Sequence, residues 1–207
     1  MKKVSWIIIG ILSTLVGIYP IIYFLIDGRI GLLASKSAEL LSDNLWNIGF
    51  YGHITLGGLA LLIGWLQFSQ KLRKNNIKIH RTIGKIYIIS VLISGTCGLF
   101  IALYATGGII SVLGFFSLGI VWLSTTILGF KAIKKENVEL HVKFIIFSYA
   151  ACFAAVTLRV WLPILTSVMS EFTEAYRIVS WLCWVPNMII AYFIVRKNKY
   201  KLIPSEI

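Results

Sequence analysis

No aspartate or glutamate falls inside any of the six long apolar runs of this chain. That absence excludes chemistry built on paired intramembrane carboxylates. Acids are scarce throughout, with 8 Asp and Glu against 20 Lys and Arg. Cysteine is scarce as well. Cys97, Cys152 and Cys183 all lie in apolar runs, where cysteine is ordinarily a small packing residue. Their spacing builds neither a disulfide framework nor a zinc site. With only 3 histidines, and no cysteine or carboxylate at the same depth, no four-ligand zinc set can be assembled. There is no serine–histidine–acid set and no glycine-rich phosphate loop, so nothing identifies a hydrolase.

What is present is apolar. The chain is 58% hydrophobic and 14% charged, a balance foreign to a soluble domain of this length. The formal charge of +12 is broken into short clusters between apolar runs, which points to a membrane protein oriented by basic loops and not to nucleic-acid binding. A membrane core of about 30 Å needs about 20 apolar residues of helix. Six runs qualify: Val4–Ile26, Gly49–Phe68, Ile83–Tyr104, Ile109–Phe130, His141–Leu165 and Tyr176–Val195. The first follows "MKK" but is too long for a signal-peptide core and reads as a retained helix. The expected fold is all-α: a polytopic membrane protein with six transmembrane helices in a helical bundle, one integral membrane domain over 1–207.

The loops predict orientation. "QKLRKNNIKIHR", "KAIKKENVELH", "RKNKYK" and the initial "MKK" are basic, whereas the alternate loops carry Asp27, Glu39, Asp43, Glu171 and Glu174. All basic segments then fall on one side, so both termini are expected in the cytoplasm of a cell membrane. "SKSAELLSDNLW" in the long outer loop predicts a short interfacial helix, with Trp46 near the headgroups. Pro186 in "WVPNM" predicts a kink, with Asn187 bonding a carbonyl or a neighbouring helix.

Steps of three and four residues collect one face of each run. On the second run that face is His53, Gly57, Ala60, Gly64 and Gln67. On the third it is His80, Gly84, Tyr87, Val91, Ser94 and Gly98. On the fourth it is Phe115, Gly119, Trp122, Thr126 and Gly129, and on the fifth His141, Ile145, Ser148, Cys152, Ala155 and Arg159. Two readings stand side by side. Small residues let helices approach, which makes these faces packing seams, and they equally admit a flat ligand. Ionisable residues at membrane depth mark function and face the bundle interior.

Topology sorts the histidines. His80 and His141 each begin an outward-going helix at the cytoplasmic side, at one depth, whereas His53 lies near the outer end of its helix. Two histidines on facing helices are the minimum set for a six-coordinate haem iron. Arg81, Lys85 and Lys143 lie beside them to pair with haem carboxylates. The bland alternative makes His80 an interfacial anchor. Arg159, 18 residues beyond His141, stands roughly 27 Å further up the helix, at the depth of His53. It is either a ligand-binding cation or a residue snorkelling to lipid phosphate.

The set His53, "GWLQF" (64–68), Arg73, "HRTIGKIY" (80–87), "TGG" (106–108), "GFFSLGIVWLSTT" (114–126) and His141 with "SYAACFAAVTLR" up to Arg159 resembles the bacterial membrane-protein family catalogued as domain of unknown function 2306. The resemblance covers roughly 48–162. In architecture alone the chain is also similar to transmembrane b-type cytochromes, which implies haems held by histidine pairs. His53 has no outer histidine partner here, so at most one bis-histidine haem fits.

Three functional readings follow. The first is a haem-b membrane redox protein, with His80 and His141 as iron ligands, Arg81, Lys85 and Lys143 around the cofactor, and an outer ligand site of His53, Arg159, Gln67 and Tyr87. The second is a cofactor-free transporter or binding protein for a small anion, quinone or lipid. The third is a structural or accessory subunit. The bilayer is a partner in all three, and nucleic acid in none.

Overall fold

The computed structural model describes residues 3–26 and 31–198, and these are all-helical, with no strand among them. Six helices are long and apolar enough to cross a membrane: α1 (Val4–Leu25), α2 (Asn44–Phe68), α3 (Ile77–Ala102), α4 (Ile109–Lys134), α5 (Val138–Val168) and α6 (Phe172–Lys197). The segments "MKK", Asp27 and the tail beyond 198 lie wholly or partly outside the described residues.

Four helices start earlier than their apolar runs, and in three of them a polar cap sits one to two turns upstream of the run. Asp43 Oδ1 accepts from Leu45 N (2.8 Å) and Trp46 N (3.3 Å) at the head of α2. Asn76 Oδ1 accepts from Ile79 N (3.3 Å) before α3, and Asn137 Oδ1 from Leu140 N (2.9 Å) before α5. Each cap satisfies a backbone N–H that has no partner inside the helix.

The interruptions follow the prolines and one turn. Tyr19–Ile21 tightens to a 3-10 helix around Pro20. Helix α5 turns at Phe153, and α6 breaks between Leu182 and Val185 beside Pro186. Asn187 Nδ2 donates to Cys183 O (3.0 Å), to Thr157 Oγ1 (3.1 Å) and to Ala150 O (3.3 Å), so it bonds both its own helix and α5. The short outer-loop helix is present as Ala38–Ser42. Trp46 is 1% exposed and stacked on Phe50 at 5.1 Å, because the loop helix and Leu33 close over it.

Helices α2, α3, α4 and α5 pack in sequence as a four-helix core, closed by α5 against α2. Helix α1 lies against α2, and α6 against α4 and α5. Polar ties cross several of the seams. Tyr87 OH lies 2.8 Å from Ser148 Oγ, which lies 2.7 Å from Thr126 Oγ1, and Thr126 donates to Trp122 O (2.7 Å). Tyr149 OH donates to Leu61 O (3.3 Å) and lies 2.7 Å from Ser13 Oγ. At the loop end, "TGG" is a left-handed corner, with φ of +101° at Gly107 and +69° at Gly108, which suits glycine. Lys36 Nζ donates to Tyr104 O and Thr106 Oγ1, and Arg177 Nε to Gly107 O. Burial pushes the Lys36 ammonium below its usual range.

The α2–α5 closure is tight at Gly64. A Cβ there would stand 2.6 Å from Tyr149 Cε2 and 2.8 Å from Tyr87 Cε2. Alanine gains about 1 kcal/mol in helix propensity, but overpacking costs about 1–3 kcal/mol, and both obstacles are rings fixed by hydrogen bonds. Gly64→Ala is therefore expected to lower the unfolding temperature of the purified protein. An unchanged or higher value would show that the tyrosines give way.

Candidate functional site

Two clusters of ionisable side chains stand at opposite ends of the bundle. At the end carrying the basic loops, His80 stands on α3 and His141 on α5, each seven residues before the Tyr87–Ser148 tie that joins the two helices. Arg73 lies exposed on the short helix Gln70–Asn75. The two imidazoles are held differently. His141 Nδ1 lies 2.8 Å from Gly129 O. A carbonyl only accepts, so Nδ1 carries the proton and Nε2 keeps its lone pair. His80 faces Gln67, which reaches over Gly84. With its amide turned so that both ends are satisfied, Gln67 Nε2 donates to His80 Nδ1 (3.0 Å) and to His80 O (3.3 Å), and its oxygen accepts from Gly84 N (3.2 Å). In that orientation His80 accepts at Nδ1 and its Nε2 carries the proton, whereas with the amide turned the other way Nδ1–H donates to Gln67 Oε1. Arg81, Lys85 and Lys143 are exposed.

At the other end, His53 on α2 and Ser94 on α3 clasp each other. His53 Nδ1–H donates to Ser94 O (2.9 Å), and Ser94 Oγ–H donates to His53 O (2.8 Å). The ring fits over Gly98, whose Cβ would stand 2.8 Å from Nδ1. Nε2 of His53 keeps its lone pair. Arg159 on α5 is half-buried. Its Nη1 donates to Ala155 O (2.9 Å), and its guanidinium carbon lies 4.5 Å from the Tyr19 ring centroid on α1. The aromatic wall continues from Tyr19 to Tyr23 (5.7 Å) and Phe50 (5.5 Å). No carboxylate pairs with Arg159 among the described residues.

The structure therefore divides the residues singled out from the sequence. No hydrogen bond joins His80 to His141 or His53 to Arg159. Gln67 and Tyr87 do not join the latter pair. Gln67 serves His80, and Tyr87 is a core residue bonded to Ser148. Tyr19 and Tyr23 escaped sequence reasoning, since nothing in α1 marks which face meets Arg159. Arg73 stood among basic loop residues, with no signal to separate it from its neighbours. Among the described residues no group of three or more His, Cys, Asp or Glu side chains is placed to hold a metal ion.

A haem between His80 and His141 needs an unprotonated nitrogen from each ring. His141 offers one at Nε2, and His80 does so when Gln67 turns its oxygen to Nδ1. The glycine faces beside the two rings, however, are occupied. Gln67 covers Gly84, and Ile145 with Phe144 covers Gly129. The pair as packed does not fit a bis-histidine haem.

The model of the family described as predicted membrane protein (DUF2306) matches residues 50–195, and the chain belongs to that family. No curated protein and no solved structure matches it, so the likeness to b-type cytochromes gains no support.

Absorption of the detergent-purified protein, with and without dithionite, is expected to show no Soret band. Sharp reduced α and β bands would restore the haem reading and require Gln67 to leave Gly84.

Proposed function

We propose that this multi-pass membrane protein binds a small organic carboxylate or oxyanion, without a cofactor, between Arg159 and His53 at the aromatic end of the bundle. One observation carries the reading: a guanidinium drawn into the bundle whose partners, among the described residues, are a carbonyl and an aromatic face instead of a carboxylate. A cation placed so keeps in-plane N–H donors for a planar anion, which it binds with two hydrogen bonds. The Tyr19 ring supports one face of the guanidinium by cation–π attraction. His53, fixed by Ser94 with Nε2 as acceptor, supplies a complementary site for a protonated ligand oxygen. The competing account has Arg159 reaching lipid phosphate, and a quinone would engage His53 without needing the cation.

The orientation belongs to the same proposal. Lys71, Arg73, Lys74, Lys78, Lys131, Lys134 and Lys135 at one end put that end in the cytoplasm, which leaves the Arg159 site facing out. Single cysteines at Ser37 or Thr173 are expected to react with an impermeant reagent on intact cells. Labelling at Asn76 or Asn137 instead would reverse the orientation.

Benzoate, a planar carboxylate suited to the aromatic wall, is the probe for binding. It is expected to raise the unfolding temperature of the purified protein, with affinity falling about tenfold or more in Arg159→Lys, since charge-assisted hydrogen bonds are worth about 1.5–3 kcal/mol. His53→Ala is expected to weaken binding as well. Equal benzoate response in the wild type and both folded variants would sink the proposal, and a lipid anchor would tolerate lysine.

A further inference from the structure

The loop between α1 and α2 carries an inference that rests on the Arg159 reading. We propose that residues 31–42 form a strap across the Arg159 site, latched by Lys36, and that the anion enters from the water at this end when the strap lifts.

Three consecutive residues take the strap across the end of the bundle. A Cβ on Gly31 would stand 2.7 Å from Tyr23 OH and 3.4 Å from Tyr19 OH. Tyr19 is the ring that meets the Arg159 guanidinium at 4.5 Å. The φ of +54° at Gly31 suits glycine and brings the backbone down onto the two hydroxyls. Leu32 packs on the cluster of Ala154, Tyr176, Val179 and Cys183, which also holds Leu158 and Leu162, the residues just before Arg159 and one turn after it. Leu33 is buried with Trp46 and Phe50, and Tyr23 packs on the same cluster. The strap therefore meets α1, α2 and the α5–α6 seam around Arg159.

One cation holds the strap on its other side. Lys36 is buried, and its Nζ donates to Tyr104 O and to Thr106 Oγ1 on the α3–α4 corner. Ser35 Oγ lies 3.1 Å from the same Thr106 Oγ1. Both acceptors of the ammonium are neutral. Burying a charge costs desolvation, and neutral acceptors offset less of that cost than a carboxylate does. The latch is thus precise in position and weak in energy, which a gate requires. The far end of the strap stays with α2, because Asn47 Nδ2 donates to Leu41 O (2.9 Å). Movement then belongs to the part from Gly31 to Lys36, the part that covers Tyr19 and Tyr23.

The test uses the full chain in maltoside micelles and para-fluorobenzoate, whose exchange between free and bound states is read by fluorine NMR. Ser35→Cys with Thr106→Cys replaces two oxygens 3.1 Å apart, within reach of a disulfide. Oxidation of this variant locks the strap shut. Association and dissociation are expected to slow together by about tenfold or more, with Kd unchanged, because a closed strap raises both barriers alike. Reduction should restore the rates, and either single-cysteine variant, oxidised in the same way, should keep them. Lys36→Met removes the latch and is expected to speed hydrogen exchange of residues 31–37 by about tenfold or more with no ligand present. Equal rates in the oxidised and reduced double variant, or like slowing in a single variant, overturn the gate, leave the Arg159 site standing and point to entry from the bilayer. Unchanged hydrogen exchange in Lys36→Met overturns the latch. No fluorobenzoate binding to the wild type overturns the Arg159 reading and the gate with it.

Discussion

The packing of α2 against α3 in one strict antiparallel register is the constraint on which the rest depends. His53 lies on Gly98, Gly57 under Ser94, Gly64 against Tyr87, and Gln67 over Gly84. Each step of three or four residues forward on α2 is matched by the same step backward on α3. At every step a glycine on one helix receives a polar or aromatic side chain from the other. The glycines bring the helices close, as in other membrane seams. Here the close approach also lets side chains reach backbone. His53 and Ser94 each bond the other's carbonyl, and Gln67 reaches His80 O and Gly84 N. A slip of one residue would place side chain on side chain and break every tie at once.

The remaining helices are fixed to this pair by hydrogen bonds that end on backbone carbonyls. Thr126 donates to Trp122 O, so Ser148 donates to Thr126, and Tyr87 to Ser148. The direction of each proton follows from the one before it, because each hydroxyl has a single hydrogen to give. A chain that terminates on a carbonyl holds helices in place and conducts no proton. Tyr149 does the same between α5, α2 and α1. Buried hydroxyls without partners would cost about 1–3 kcal/mol each, so these ties fix the rotation of α4 and α5 as well as their position. That rotation aims His141 at Gly129 O and brings Arg159 to Tyr19.

Much of this architecture was legible in the sequence. The six runs, the small-residue faces of α2 and α3 and the depth of each histidine follow from hydropathy and helical period. The faces named from spacing alone are those that meet. Two kinds of information were not legible. Helix ends lie in the polar caps Asp43, Asn76 and Asn137, outside the apolar runs that signal a span. The contents of each face were also hidden. A row of glycines reads equally as a seam or as a ligand slot, and only the partner's side chains decide. Tyr149 and Tyr87 fill Gly64, and Leu99 fills Gly119, so these positions are seams. The same ambiguity grouped Gln67 and Tyr87 with Arg159, because all four residues of that set sit on inward faces and depth alone does not separate their neighbours.

The chemistry of the histidines is set one level beyond the sequence, by what each Nδ1 meets. Three imidazoles in one bundle meet two kinds of cap. His53 and His141 each find a backbone carbonyl on a neighbouring helix and become acceptors at Nε2. His80 meets the Gln67 side-chain amide instead, which presents either its N–H or its oxygen according to which way it is turned. A carbonyl cap favours metal or proton binding at the far nitrogen, and an amide N–H cap opposes it. His80 and His141 therefore differ in what caps them, even though sequence places them at one depth with similar flanks. What each ring offers at its far nitrogen follows from one cap atom, delivered by helix register.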